Sequence, residues 1–515
     1  MLRQDRTAIR RRFTFVVEQA RKTLRETRRL LVVPVGLTRL YWAKLFAVVP
    51  APATEHALPS CEQEADHWTD EFWFRTGEEL LNDDRPVAHW MAKDLQFYPH
   101  LRVNISGKFS LARHLKIEPK LVARIKTAYR LAMEGFEGAG DSQWSKFAEH
   151  SRGIHECLLA DSDAGITQIL EDPIPTRLFY GFYSLAQDLN LDESSQEGVE
   201  LAGWSIRQIF GCLIRLAEAT GSIRAWNPEN PPSDDGVTSA TLETLLTALD
   251  EGIGIRLDFP NPFPREFGLP SSRGIASYRA PQAIYQAWRT RELLRESGGT
   301  KVLEIGAGMG RTAYYAQRLG ITDYVIVDLP LANVAQAIFL GRVLGSDSIW
   351  LPGDPISQMM GRIRIYPPQW LTNSQEEFAV ALNADSLTEM DARHAVGYFH
   401  EISQRADLFL SINQESYSLR VRDLPSKCEI EPRVLRYPYW LRKGYVEEVY
   451  SFRSTIGHLP PLPNATSYSL ASPGGFATEA SALSIGRRRA GNAGHERDDD
   501  APIAADATAV VRRSV

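Results

Sequence analysis

The chain has 515 residues, more than one ordinary globular domain and about three by length alone. Hydrophobic residues at 43%, charged residues at 24% and aromatics at 10% exclude a wholly disordered, collagenous or disulfide-scaffold chain. A formal net charge of -6, from 58 basic against 64 acidic side chains, argues against a general nucleic-acid binder.

The charge is unevenly spread. Residues 1–49 hold twelve Lys/Arg and three Asp/Glu, a net of +9, which leaves 46 against 61 for the remainder. Phe13, Val16, Val17, Ala20, Leu24 and Leu31 recur at helical spacing, so residues 1–53 read as a basic amphipathic arm. Such an arm suits peripheral attachment to an anionic membrane, or packing on its own protein or on a second copy in a homo-oligomer. A transit peptide is a third reading. The apolar stretch 30–53 is interrupted by Arg39 and Lys44 and broken by Pro34 and Gly36, so no spanning helix is expected. Cys61, Cys157, Cys212 and Cys428 lie far apart with no CxxC, which fits a reducing, cytoplasmic setting.

Residues 54–228 read as a mostly helical domain, with long apolar stripes over 120–136 and 198–219. A Pro-rich linker is placed at 229–250. From 251 to 459, the short apolar runs KVLEI, DYVIV, SIWL, FAVALN and DLFLSIN alternate with helical patterns. That alternation predicts an α/β domain: a parallel sheet with helices on both faces. Residues 460–515, rich in Ala, Ser, Gly and Pro, read as a disordered tail.

Strand KVLEI runs into GAGMGRTAYYA, so Glu304, Gly306, Gly308 and Gly310 form E-x-G-x-G-x-G at a strand-to-helix turn. Glycines let backbone turn sharply and approach a ligand closely. A dinucleotide fingerprint wants G-x-G-x-x-G, yet Arg311 stands where its third glycine would be. Asp328 ends the next strand, where a carboxylate can accept both ribose hydroxyls. Glu304 suits a cationic ligand and would repel a pyrophosphate. The ordered pair favours S-adenosylmethionine over NAD.

The stretches VLEIGAGMGRTAYYA, VIVDLPLANVAQAIFLGRVLG, NADSLTEM, SINQES and residues 259–289 resemble the class I S-adenosylmethionine-dependent methyltransferases, and more narrowly the sugar O-methyltransferase family. The resemblance spans roughly residues 250–455. It implies a Rossmann-like fold, a mostly parallel seven-stranded sheet with helices on both faces, preceded by the helical domain. It further implies that Gly306, Gly308 and Gly310 line the cofactor and that Glu304 fixes the turn or meets the ammonium. Asp328 with Leu329 would hold the ribose side, and Asn383 would line the cofactor at the fourth strand end. Asp354, after the third strand-like run SIWL, contacts adenine or is a turn residue; Arg279 pairs with the methionine carboxylate or is a surface residue.

Methylating a hydroxyl requires removing its proton as sulfur departs, so a carboxylate or histidine at the fourth strand end is wanted. Asp385 is the first candidate, either taking the proton or orienting the hydroxyl. Glu389 comes next, with Asn413 and His394 behind it. His394, His400 and His458 are the only histidines of the α/β region and have no ligand spacing, so no metal is expected. The expected activity is transfer of a methyl from S-adenosylmethionine to a hydroxyl of a small-molecule saccharide or glycosylated metabolite. Open alternatives are a non-sugar natural product as acceptor, an NAD-linked oxidoreductase and a non-catalytic scaffold.

Overall fold

The computed structural model describes residues 107–110, 116–136, 151–179, 181–182, 196–225 and 242–453, with Gly138 and Glu149 besides. The basic arm (1–53) and the tail (460–515) lie outside the described residues.

Strand β1 (Lys108–Phe109) precedes helices α1 (Pro119–Met133), α2 (Arg152–Leu159), α3 (Ala164–Glu171), α4 (Gln196–Ala219) and α5 (Leu242–Ile253). Helix α5 therefore begins inside the stretch read as a linker. Its leucines 242, 245, 246 and 249 are buried at helical spacing, a stripe that the neighbouring prolines mask in the sequence. Strands β2 (Phe267–Ser271) and β3 (Gly274–Ala276) follow, and β1 pairs antiparallel with β2. The helical region and the α/β region thus share a small sheet, and they also share one hydrophobic core.

The large sheet is built from β4 (Lys301–Ile305), β5 (Asp323–Val327), β6 (Ile349–Trp350), β7 (Ile363–Tyr366), β8 (Phe378–Ala384), β9 (Ala406–Gln414), β10 (Arg433–Pro438) and β11 (Tyr445–Ser451). Its order is β10-β11-β9-β8-β4-β5-β7-β6, so among the described residues it has eight strands where seven are expected. The added member is the two-residue β6 at the edge. Pairing is parallel except at β11, which runs antiparallel to both β9 and β10. Strands β4 and β8 are buried almost throughout, as strands covered on both faces must be.

The run β7-β5-β4-β8-β9 has the doubly wound order 3-2-1-4-5 of a Rossmann-like sheet. The chain leaves β4 toward β5 and β7, then returns to the other side for β8 and β9. The strand order reverses between β4 and β8, and ligands of such sheets bind beyond the carboxyl ends at that reversal.

Helices α6 (Ala280–Ser297), α7 (Arg311–Arg318) and α8 (Pro330–Val343) join the core that includes α1 and α4. A second core contains Phe399 and Ile402 of α10 (Ala392–Arg405), together with Leu371 of α9 (Pro368–Asn373) and Leu424 of α11 (Leu424–Lys427). No helix among the described residues is long and apolar enough to cross a membrane.

Candidate active site

Three of the sequence-marked groups meet where β4 and β8 end. Gly306, Gly308 and Gly310 all have positive φ (73°, 57° and 87°), the left-handed region that glycine enters without steric cost. At Gly306 a second constraint acts. A Cβ there would lie 2.1 Å from Ser386 Oγ, in the loop after β8. That loop is drawn in by Asn383, which is fully buried and donates from Nδ2 to Ile305 O at 2.9 Å and to Ser386 Oγ at 2.5 Å. Asn383 Oδ1 accepts from Asn413 Nδ2 at 2.9 Å. Asn383 and Asn413 therefore tie the ends of β4, β8 and β9 together, while the buried Oδ1 of Asn413 has no partner.

Asp328 follows β5 and faces the same turn. Its carboxylate accepts from Gly308 N (3.2 Å), Leu329 N (2.8 Å) and Gln336 Nε2 (2.7 Å). Burial nevertheless dominates and pushes it up to about 7 against these hydrogen bonds. Glu304 lies inside the sheet, 3% exposed, and accepts from Tyr324 OH at 2.8 Å. Burial pushes Glu304 up to about 8, so at neutral pH it is largely protonated. Of the two roles expected of Glu304, burial disfavours a charged partner for an ammonium.

Of the two readings of Asp354, the structure shows the turn residue. The strand beside β5 is β7, and the run before Asp354 became the outer strand β6. Arg124 of α1 binds both Asp354 oxygens, at 2.8 and 2.6 Å, and Leu351 N donates to it at 2.8 Å. Asp354 fastens a helix to the sheet edge.

Past β8, Asp385 is one of three described non-glycine residues with positive φ (67°). Sparsely populated backbone of this kind persists only where its surroundings hold it. Arg279 Nη1 donates to Asp385 Oδ2 at 2.5 Å, and Arg442 Nη1 donates to the same oxygen at 2.9 Å and to Oδ1 at 3.2 Å. Burial alone would raise Asp385, but Arg442 and Arg279 overcome it and hold the carboxyl at about 2. So Arg279 finds its anion in Asp385. Arg442, in the turn between β10 and β11, has no motif around it, and nothing in the sequence singles it out.

Glu389 is half-buried in the one-turn 3-10 helix Leu387–Glu389, four residues beyond Asp385. His394 sits in the first turn of α10, where Asp391 caps its backbone N–H at 3.0 Å and meets its Nδ1 at 2.5 Å. Among the described residues no group of three or more His, Cys, Asp or Glu is placed to hold a metal ion.

Solved structures similar to this chain include methyltransferases. The glycopeptide N-methyltransferase MtfA is 15% identical, over 33% of this chain and 90% of its own, with a TM-score of 0.25. Magnesium protoporphyrin IX methyltransferase from Synechocystis PCC 6803, solved with bound S-adenosylmethionine, is 10% identical over 34% of this chain and 83% of its own, at 0.24. The methyltransferase domain of bacterial CtHen1 is 11% identical over 32% of this chain and 96% of its own, at 0.25. No family model and no curated protein matches the chain.

Proposed function

We propose that this protein transfers a methyl group from S-adenosylmethionine to a hydroxyl of a sugar or glycosylated metabolite. The observation that carries the cofactor half of this reading is the pairing across β4 and β5. A glycine loop at the strand-order reversal donates the Gly308 N–H to Asp328, the carboxylate at the next strand end. The same loop disfavours a dinucleotide. Arg311, where the NAD fingerprint needs glycine, is buried and donates from Nη1 to Phe182 O at 3.1 Å.

When bound, S-adenosylmethionine supplies an electrophilic methyl on a sulfonium. The protein's part is to hold and aim. Asp328 accepts the ribose hydroxyls on a carboxylate whose Oδ2 Gly308 and Gln336 now address and whose Oδ1 accepts from Leu329 N. Gly306 lets the turn pass against Ser386, and the Asn383–Asn413 pair fixes the loop that faces the methyl. A carboxylate held at about 2 is a weak proton acceptor, so Asp385 orients the acceptor hydroxyl and does not take its proton. The proton goes to Glu389, or to the Nε2 of His394, whose Nδ1 is occupied by Asp391. Bringing the two reactants into line supplies much of the rate.

The test is methyl transfer from labelled S-adenosylmethionine to a panel of glycosides and of non-sugar phenols and alcohols. Label in glycoside hydroxyls supports the reading, and label only in non-sugar acceptors replaces the sugar by another natural product. Glu389→Gln and His394→Gln, run side by side, assign the proton. The responsible variant should lose about 10²–10⁴-fold in turnover while cofactor affinity holds.

A further inference from the structure

Two guanidinium groups share one carboxylate at the acceptor side of the site, which leaves the cluster with a net positive charge. Arg279 and Arg442 both bond Asp385, with side chains 30% and 17% exposed beside an aspartate at 22%. Aromatic rings hold the two cations from the side. The Arg442 guanidinium lies 3.7 Å above the Tyr445 ring, and the Arg279 guanidinium is 5.8 Å from the Tyr278 ring. Arg442 Nη2 donates to Tyr445 OH at 2.6 Å, and Arg442 Nη1 also reaches Gln282 Oε1 at 3.3 Å.

Arg279 is different. A guanidinium carries five N–H donors, and the one hydrogen bond Arg279 makes among the described residues is that to Asp385. Its other donors sit on a partly exposed fork that Asp385 anchors beside the Tyr278 ring, the arrangement suited to bidentate capture of a carboxylate or phosphate.

We infer that this arginine pair is a specificity subsite: the methyl acceptor carries an anionic group, a carboxylate or a phosphate, that Arg279 and Arg442 bind beside the transferred methyl. Asp385 is then a positioning residue. Its left-handed backbone brings the carboxylate between the two guanidiniums, keeps both pointed at the acceptor space, and tempers a site that would otherwise hold any anion. The word acceptor rests on the methyl-transfer reading; the anion site itself does not.

The experiment is calorimetric titration of the full chain with inorganic phosphate and, in a parallel arm, acetate. Both run at constant ionic strength in chloride, with and without saturating S-adenosylhomocysteine. At least one anion is expected to bind with S-adenosylhomocysteine in place, and the arm that binds tells phosphate from carboxylate. Arg442→Gln should weaken it by about tenfold or more, as loss of a charge-assisted hydrogen bond does, with Arg442→Lys in between. Asp385→Asn should strengthen it, because asparagine keeps the left-handed backbone while removing the competing charge. A gain of binding cannot come from misfolding. The inference is overturned if neither anion binds, if Arg442→Gln and Asp385→Asn leave binding unchanged, or if S-adenosylhomocysteine abolishes it, since the arginines would then serve the cofactor carboxylate. Anion binding that follows these variants in a protein to which S-adenosylhomocysteine does not bind would instead sink the methyl-transfer reading alone.

Discussion

Asp328 and Asp385 stand on either side of one glycine loop, beyond the two strands that flank β4, and they titrate in opposite directions. Burial pushes both upward. Around Asp328 the neighbours are neutral donors, the amides of Gly308 and Leu329 and the Gln336 side chain, and burial wins at about 7. Around Asp385 the neighbours are two guanidiniums, and charge wins at about 2. The same residue type at the carboxyl ends of the two strands that flank β4 is thus a switchable hydrogen-bond acceptor after β5 and a fixed anion after β8, the cofactor and acceptor sides of the proposed function. The charge of the partners separates the two roles.

The most damaging change to the cofactor side is expected at Gly306. Gly306→Val must place a β-branched side chain at φ 73° and push Ser386 aside from 2.1 Å. S-adenosylhomocysteine affinity should fall by about 100-fold or more, since an overpacked site costs about 1–3 kcal/mol before the backbone strain is added. Gly361→Val is the control: it has the same φ of 73° and nothing within 4 Å of its Cβ, so it isolates the backbone cost. Equal losses in the two variants would show that the β8 loop does not shape the cofactor side.

On the acceptor side, the sharpest signature is acid stability. Asp385 has a folded value of about 2 against 3.8 for the free side chain. Its stabilisation is present above pH 4 and is lost as pH falls toward 2, worth at most roughly 2.5 kcal/mol. Denaturant melts at pH 2 to 5 should show wild type converging on Asp385→Asn as the pH drops. Parallel curves over that range would mean the arginines do not hold the carboxylate.

The sequence made the two regions legible to different degrees. KVLEI, DYVIV, FAVALN and DLFLSIN became β4, β5, β8 and β9 because strands covered on both faces read as continuous apolar runs. RIRIY escaped that criterion. Arg364 interrupts it, yet is buried in β7 by ion pairs with Asp323 and Glu376. Missing β7 made SIWL the third strand-like run, whereas Asp354 follows the outer strand β6. The glycine loop and Asp328 could be found because their spacing is local, 24 residues from Glu304 to Asp328. Arg442 could not: it meets Asp385 across 57 residues of chain, through a β10–β11 turn that carries no pattern.

The central claim is that the loop after β4 and the carboxylate after β5 form an S-adenosylmethionine site. Its most direct test is calorimetric titration with S-adenosylhomocysteine and with NAD at pH 6 and pH 8, on wild type and Asp328→Asn. A ribose that donates to the Asp328 carboxylate needs it ionised. With a free-protein value of about 7, affinity should rise from pH 6 to pH 8 by up to about tenfold and level off above. The account predicts S-adenosylhomocysteine binding with that pH dependence, weaker and pH-independent binding in Asp328→Asn, and no heat from NAD. Binding of NAD, or S-adenosylhomocysteine affinity that ignores both pH and Asp328, would contradict it.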